Sequence, residues 1–123
     1  MNELQKFGHK GEDIASSYLI SKGYIIRQRN WRFHHIELDI IAENEDFIVI
    51  VEVKSRRNDK FCHPSEAVNN TKIKRIVNAT QAYIFKHNIK KDIRFDIISI
   101  IPTAEGNFQI EHQEDAFFSP LGR

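Results

Sequence analysis

With one cysteine, Cys62, the chain cannot close an internal disulfide, which agrees with a reducing compartment. Long apolar runs are missing too. The longest, Phe47–Val51, falls far short of the roughly 20 residues that a membrane helix needs. No secretory signal pattern precedes the first helical segment, so the expected location is the cytoplasm, with no membrane partner. Repeats, low-complexity tracts and Pro- or Gly-rich linkers are absent, and 123 residues suffice for one core but not two, so a single domain is expected over residues 1–123. There is no surplus of positive charge: 18 basic residues against 17 acidic ones leave a formal net charge of +1. Any nucleic-acid contact must therefore come from a local patch.

Two basic patches are present. Lys22 to Ile36 contains Lys22, Arg27, Arg29, Arg32 and two histidines without an acid, and Lys54 to Lys60 contains Lys54, Arg56, Arg57 and Lys60 against Asp59. Solvated surface explains most such runs, but these two border the same stretch, Ile36 to Lys54, around which the chain is organised. It reads I-E-L-D-I-I-A, a polar break, then F-I-V-I-V-E-V-K. Two β-branched runs around a short break predict a β-hairpin, with Asn44-Glu45 as the turn.

Side chains alternate faces along a strand. Alternation predicts Ile36, Leu38 and Ile40 on one face of the first strand, and Glu37, Asp39 and Ile41 on the other. On the second strand Glu52 and Lys54 share a face with Ile48 and Ile50. A turn at Asn44-Glu45 sets Glu37 opposite Glu52, and a two-residue slip sets Asp39 opposite Glu52. Either register gathers three carboxylates and an ammonium on one otherwise apolar face. Opposed positions lie roughly 5 Å apart and diagonal ones about 7–8 Å. Like charges so placed destabilise a sheet unless something neutralises them, and a divalent cation with oxygen bonds of about 2.0–2.6 Å can do so. An acid-x-Lys triplet is weak evidence alone, since chance supplies roughly one in a chain with 17 acids. What carries weight is the placement of Glu52-Val53-Lys54 at the end of the most strand-like run.

Ahead of the hairpin, Ile14, Ala15, Tyr18 and Leu19 predict a helix from Lys10 to Lys22, stopped by Gly23. Glu12 and Asp13 both suit the first-turn dipole, but Glu12 shares a face with Ala15 and Leu19 and leans towards the sheet. Tyr24 to Phe33 reads as a strand. His34-His35 reads as a turn whose side chains diverge, hence as surface or substrate-edge residues. After the hairpin come a polar loop (Ser55–Pro64), a short turn (Ser65–Val68) and a second helix (Lys72–His87). Lys72, Lys74 and Arg75 cluster in its first turn, the unfavourable end for cations, with Lys72 at the edge of the apolar stripe. Arg94 to Ile101 reads as a strand buried on both sides, parallel to its neighbour, with a short edge strand at Phe108–His112 and a tail carrying Phe117 and Phe118 that packs back.

The order helix, three strands, helix, strand, with Asp39 followed by Glu52-Val53-Lys54, resembles the PD-(D/E)XK (restriction-endonuclease-like) nuclease fold. More closely, the chain is similar to the YraN family of small bacterial proteins over roughly residues 7–118. The matching pieces are Gly11-Glu12, Ala15, Tyr18-Leu19, Gly23-Tyr24, Arg29-Asn30, Arg32, Glu37 to Ala42, Val51 to Lys54, Arg56, Glu66 to Val68, Lys72 and Arg94 to Asp96. Two departures stand out: Ile36 where the family usually has Gly, and Phe61-Cys62 where it usually has Phe-Gly. The resemblance implies an α/β, single-domain αβββαβ core, a mixed central sheet flanked by helices. It also implies one or two Mg²⁺ or Mn²⁺ ions on Asp39 and Glu52, with Glu12 as ligand or neighbouring acid and Glu37 as auxiliary. Lys54 would orient water or stabilise charge, and Arg56, Lys72 and Arg32 would contact substrate.

The activity so implied is metal-dependent hydrolysis of phosphodiester bonds in DNA, including structured or branched DNA, for which a homodimer would be suited. Two other readings stand beside it. One is a nucleic-acid-binding module that keeps the fold without turnover, to which the net charge of +1 is pertinent. The other is a structural interaction protein whose acids form an ion-paired surface. No base-reading element is present, so sequence-specific cutting is not expected.

Overall fold

The computed structural model describes residues 3–55 and 70–117. The chain forms helix α1 (Glu3–Ser21), strands β1 (Ile25–Phe33), β2 (Ile36–Glu43) and β3 (Phe47–Ser55), helix α2 (Asn70–His87), strand β4 (Asp92–Pro102), a 3-10 turn and strand β5 (Phe108–Gln113). One sheet runs in the order β1-β2-β3-β4-β5. All pairs are antiparallel except β3 and β4, which are parallel and joined through α2. This is the expected αβββαβ order with a fifth, edge strand. Arg56, the loop beyond Ser55, the turn at Ser65–Val68 and Phe118 lie outside the described residues. No helix among the described residues is long and apolar enough to cross a membrane.

α1 begins at Glu3, well before the expected Lys10. Its end is the expected one. Gly23 has φ +94°, and the amides of Gly23 and Tyr24 donate to the carbonyls of Ile20 and Leu19 at 3.0 Å each, a Schellman closure that a side chain at residue 23 would strain.

The sheet carries a core on each face. Ala15 and Leu19 of α1 pack with Ile40, Ala42, Val49, Val51, Ile98 and Ile100. Ile76, Val77 and Tyr83 of α2 pack with Leu38, Ile41, Ile48, Ile50 and Phe95. β4 is buried from Phe95 to Ile101, as its near-continuous apolar run requires. Phe117 stacks on Phe95 with ring centroids 5.0 Å apart, returning the described end of the tail to the domain.

Two local features differ from the expected hairpin, and both shape the site. The two turn residues are Glu45 and Asp46. Asn44 precedes them and closes the turn through its side chain, Oδ1 accepting the amides of Asp46 (2.9 Å) and Phe47 (2.7 Å). The register is therefore the slipped one, with Ile40 opposite Val51 and Glu43 opposite Ile48. One further step brings Asp39 level with Glu52.

The second difference is a break in alternation at Asp39. Leu38 belongs to the α2-side core and Ile40 to the α1-side core, instead of sharing a face. In β1, between the pairs Arg29–Ile40 and Trp31–Leu38, lies Asn30 with φ +53°, a left-handed conformation that asparagine tolerates better than most residues. The kink frees Asp39 from the regular pleat. Its Oδ2 accepts the main-chain N–H of Val53 at 2.9 Å, where the β2–β3 ladder ends.

Candidate active site

The site lies where β2 and β3 part. α1 reaches it through a close approach at Gly11, where a Cβ would stand 2.0 Å from Ser55 Oγ. That contact sets Glu12 against the end of the sheet. Asp13, the more exposed of the two acids, takes Arg29 Nη2 at 2.9 Å, leaving Glu12 Oε1 at 3.7 Å from the same nitrogen. Glu12 Oε1 is buried without a hydrogen bond. The expected asymmetry between the two acids is thus present: Asp13 is satisfied at the surface and Glu12 is held inward unsatisfied.

One carboxylate oxygen from each of Glu12, Glu37 and Asp39 lies within 4.8 Å of the other two. Burial above all, then the charge of Glu52 and, more weakly, Glu12 and Glu37 together push the Asp39 carboxyl up to about 7, with the Val53 N–H pulling the other way and outweighed. Glu37 is held from the solvent side by Arg32 Nη2 at 3.0 Å. Glu52 is buried and accepts Lys72 Nζ from α2 at 2.9 Å, with Lys54 Nζ at 3.9 Å. Burial and, after it, the neighbouring Lys72 lower the Lys54 ammonium to about 8, against the opposing pull of Glu52 and Asp39.

The sequence candidates therefore gather around Asp39, in a different grouping from that expected. Glu37, expected as auxiliary, stands in the tight triad with Glu12 and Asp39. Glu52, expected as a primary ligand beside Asp39, is engaged by Lys72 and Lys54 and exerts the largest charge effect on Asp39. The common apolar face expected for all three hairpin acids does not form, because the kink at Asp39 interrupts the alternation that would have produced it. Arg32 and Lys72 stand at the rim, each on an acid of the group, and Arg56 lies outside the described residues. His34 and His35 are both exposed at the β1–β2 turn.

Sequence reading missed a second polar group. Asp96, fully buried in β4, accepts Arg94 Nε (2.9 Å) and Nη2 (2.8 Å), meets His112 Nε2 at 2.7 Å, and accepts the Asp115 amide at 3.0 Å. Two charged residues in an otherwise apolar strand were the available signal.

Chemically, the triad offers only hard oxygen donors, the set that suits Mg²⁺ or Mn²⁺ over softer ions. Oxygens around one cation with bonds of about 2.0–2.6 Å stand roughly 3–5 Å apart, and those of the triad all lie within 4.8 Å of one another. The Glu12 oxygen lacks a hydrogen bond, and Asp39 is raised by burial first and by its acidic neighbours second. The residues present fit a divalent cation.

The model of the uncharacterised protein family UPF0102 matches residues 11–100. Several curated proteins, each called only a UPF0102 protein, are similar over nearly their whole length. One from Bacteroides thetaiotaomicron is 50% identical over 121 residues, covering 98% of this chain and 99% of that protein. One from Phocaeicola vulgatus is 45% identical with the same coverage, and one from Persephonella marina is 43% identical over 89% of this chain and 91% of its own.

Proposed function

The chain belongs to UPF0102, the YraN family, and from that membership together with its acid cluster we propose that it is a divalent-metal-dependent endonuclease hydrolysing phosphodiester bonds in DNA. The observation that carries this reading is the triad of Glu12, Glu37 and Asp39 within 4.8 Å, assembled from a helix and a kinked strand. Carboxylates forced together in this way cost free energy that a bound cation would recover. A surface ion-pair network does not call for a buried Glu12 oxygen that has no hydrogen bond and only Arg29 at 3.7 Å.

Glu12, Glu37 and Asp39 would hold Mg²⁺ or Mn²⁺, with Glu52 beside them on β3. When bound, the cation supplies a water of lowered pKa and neutralises charge on the phosphate. The protein's own residues do the rest. The Val53 amide fixes one oxygen of Asp39, and Gly11 lets α1 bring Glu12 close. Lys54, with its ammonium lowered to about 8, can orient the attacking water or donate to the developing negative charge. Lys72 holds Glu52 in place and, with Arg32, gives the rim a positive edge for the flanking phosphates.

Incubation with linear, nicked and branched DNA in Mn²⁺ tests the reading, with Asp39→Ala as control. Cleavage that disappears in the variant supports it. Binding without cleavage, weakening as salt is added, would instead favour the non-catalytic module.

A further inference from the structure

A cavity of about 380 Å³ opens beside the acid cluster, between the β1–β2 turn and the first turns of α2. Ile36 lines it with apolar surface in front of the buried Ile76, and His35, Thr71 and Arg75 supply polar groups. Glu37 and Lys72 also line it, so it adjoins both the triad and the Glu52 ion pair. Its volume falls at the small end of the roughly 300–1,000 Å³ typical of small-ligand sites.

We infer that this cavity receives one unpaired nucleotide of the strand passing the acid cluster, its base against Ile36 and its phosphate on Arg75 and Thr71. The inference deepens the nuclease reading and rests on it for what brings a strand to this place. Charge accounting selects the phosphate ligand. Glu37 is paired to Arg32 at 3.0 Å, and Lys72 to Glu52 at 2.9 Å. Arg75 has no ion pair among the described residues and faces the same space. The apolar lining selects the base, since a patch for phosphate alone needs no partly exposed isoleucine such as Ile36. A base within a continuous duplex reaches such a cavity only after unstacking and unpairing, at a cost of a few kcal/mol that an already unpaired nucleotide avoids. The substrate class is therefore a strand with an unpaired nucleotide next to the cut: a single strand, a flap or a branch point.

The test is fluorescence anisotropy with a labelled oligothymidylate and a duplex of equal length, in EDTA so that hydrolysis does not enter. The single strand should bind at least about tenfold more tightly than the duplex, and Arg75→Ala should remove about tenfold of that binding. Thr71→Phe fills the cavity from an exposed position in α2 and should do the same while leaving duplex binding unchanged. Equal binding of the two DNAs, no binding of either, or wild-type binding of the single strand by folded Thr71→Phe overturns the inference. Should Thr71→Phe fail to fold, Arg75→Ala decides. Parallel incubation with Mn²⁺ separates the two readings. Single-strand preference without cleavage leaves the nucleotide cavity and removes the nuclease. Cleavage with indifferent binding leaves the nuclease and removes the cavity.

Discussion

Asp39 and Asp96 are carboxylates on the same sheet, and burial alone would raise the pKa of both. Asp96 ends up below its ordinary value because His112, Arg94 and the Asp115 amide outweigh its burial. Arg94 is itself held by the Tyr24 hydroxyl at 2.6 Å, and His112 Nδ1 by the Tyr18 hydroxyl at 3.0 Å. Asp39 has one hydrogen bond among the described residues, from Val53, and three acids around it, so its carboxyl stays raised at about 7. The difference separates an acid that holds the fold together from one the fold tolerates at a cost. Asp96 is surrounded by donors, whereas Asp39 has a single amide and three acids, with Lys54 and Lys72 acting on it only as charges.

The comparison breaks most sharply in activity. Asp39→Ala should lower Mn²⁺-dependent cleavage by about 10³-fold and abolish calorimetric binding of Mn²⁺, whereas Asp96 is remote from that chemistry. If Asp39→Ala retains both, the contrast is wrong.

Asp96→Ala should show the mirror image. It takes away the buried partner of Arg94, which keeps Glu114 at 3.0 Å and the Tyr24 hydroxyl, and should cost on the order of 3 kcal/mol in denaturant unfolding. Lys54→Ala comes next, with a rate loss of about 10²-fold at unchanged Mn²⁺ affinity. A variant that loses metal and rate together would mean that Lys54 acts by holding the acids.

pH sharpens the comparison further. Unfolded, Asp39 ionises near 3.8; folded, only near 7. Between those values the unfolded chain loses its proton first, so the metal-free protein should lose stability as pH rises from about 4 to about 7 and then level off. Asp39→Asn should remove this slope and stabilise the metal-free protein by on the order of 2 kcal/mol at pH 8, with little effect at pH 4. Asp96 carries the opposite sign. Its contribution is present above about 3.8 and is lost as pH falls below, so Asp96→Asn should flatten the acid limb of the stability curve. The smallest effect concerns the triad itself: Glu37→Gln should weaken Mn²⁺ binding by about tenfold while leaving the melting temperature within a few degrees.

The order of elements was legible in sequence because it rests on local patterning: β-branched runs around a polar break, a 3.6-residue stripe in each helix, and a glycine where φ must be positive. Membership in UPF0102 was legible for a related reason, since an ordered set of short matches is far more specific than any one acid-x-Lys triplet. The candidate acids were visible as well, being charges placed where a strand would rather have none.

Which of those acids meet was decided by the tertiary structure. Strand alternation assigns Glu37, Asp39, Glu52 and Lys54 to one face, but it assumes an unbroken pleat, and the pleat breaks at Asp39, beside the left-handed Asn30 of the neighbouring strand. No periodicity within either segment records that juxtaposition. The same holds for Gly11 against Ser55 and for Asp96 with His112, whose contacts span residues far apart in the chain. Local sequence sets which elements form, because their free energies are largely local. The grouping of charges depends on how those elements pack against one another, and there Glu37 joined Glu12 and Asp39 while Glu52 took Lys72.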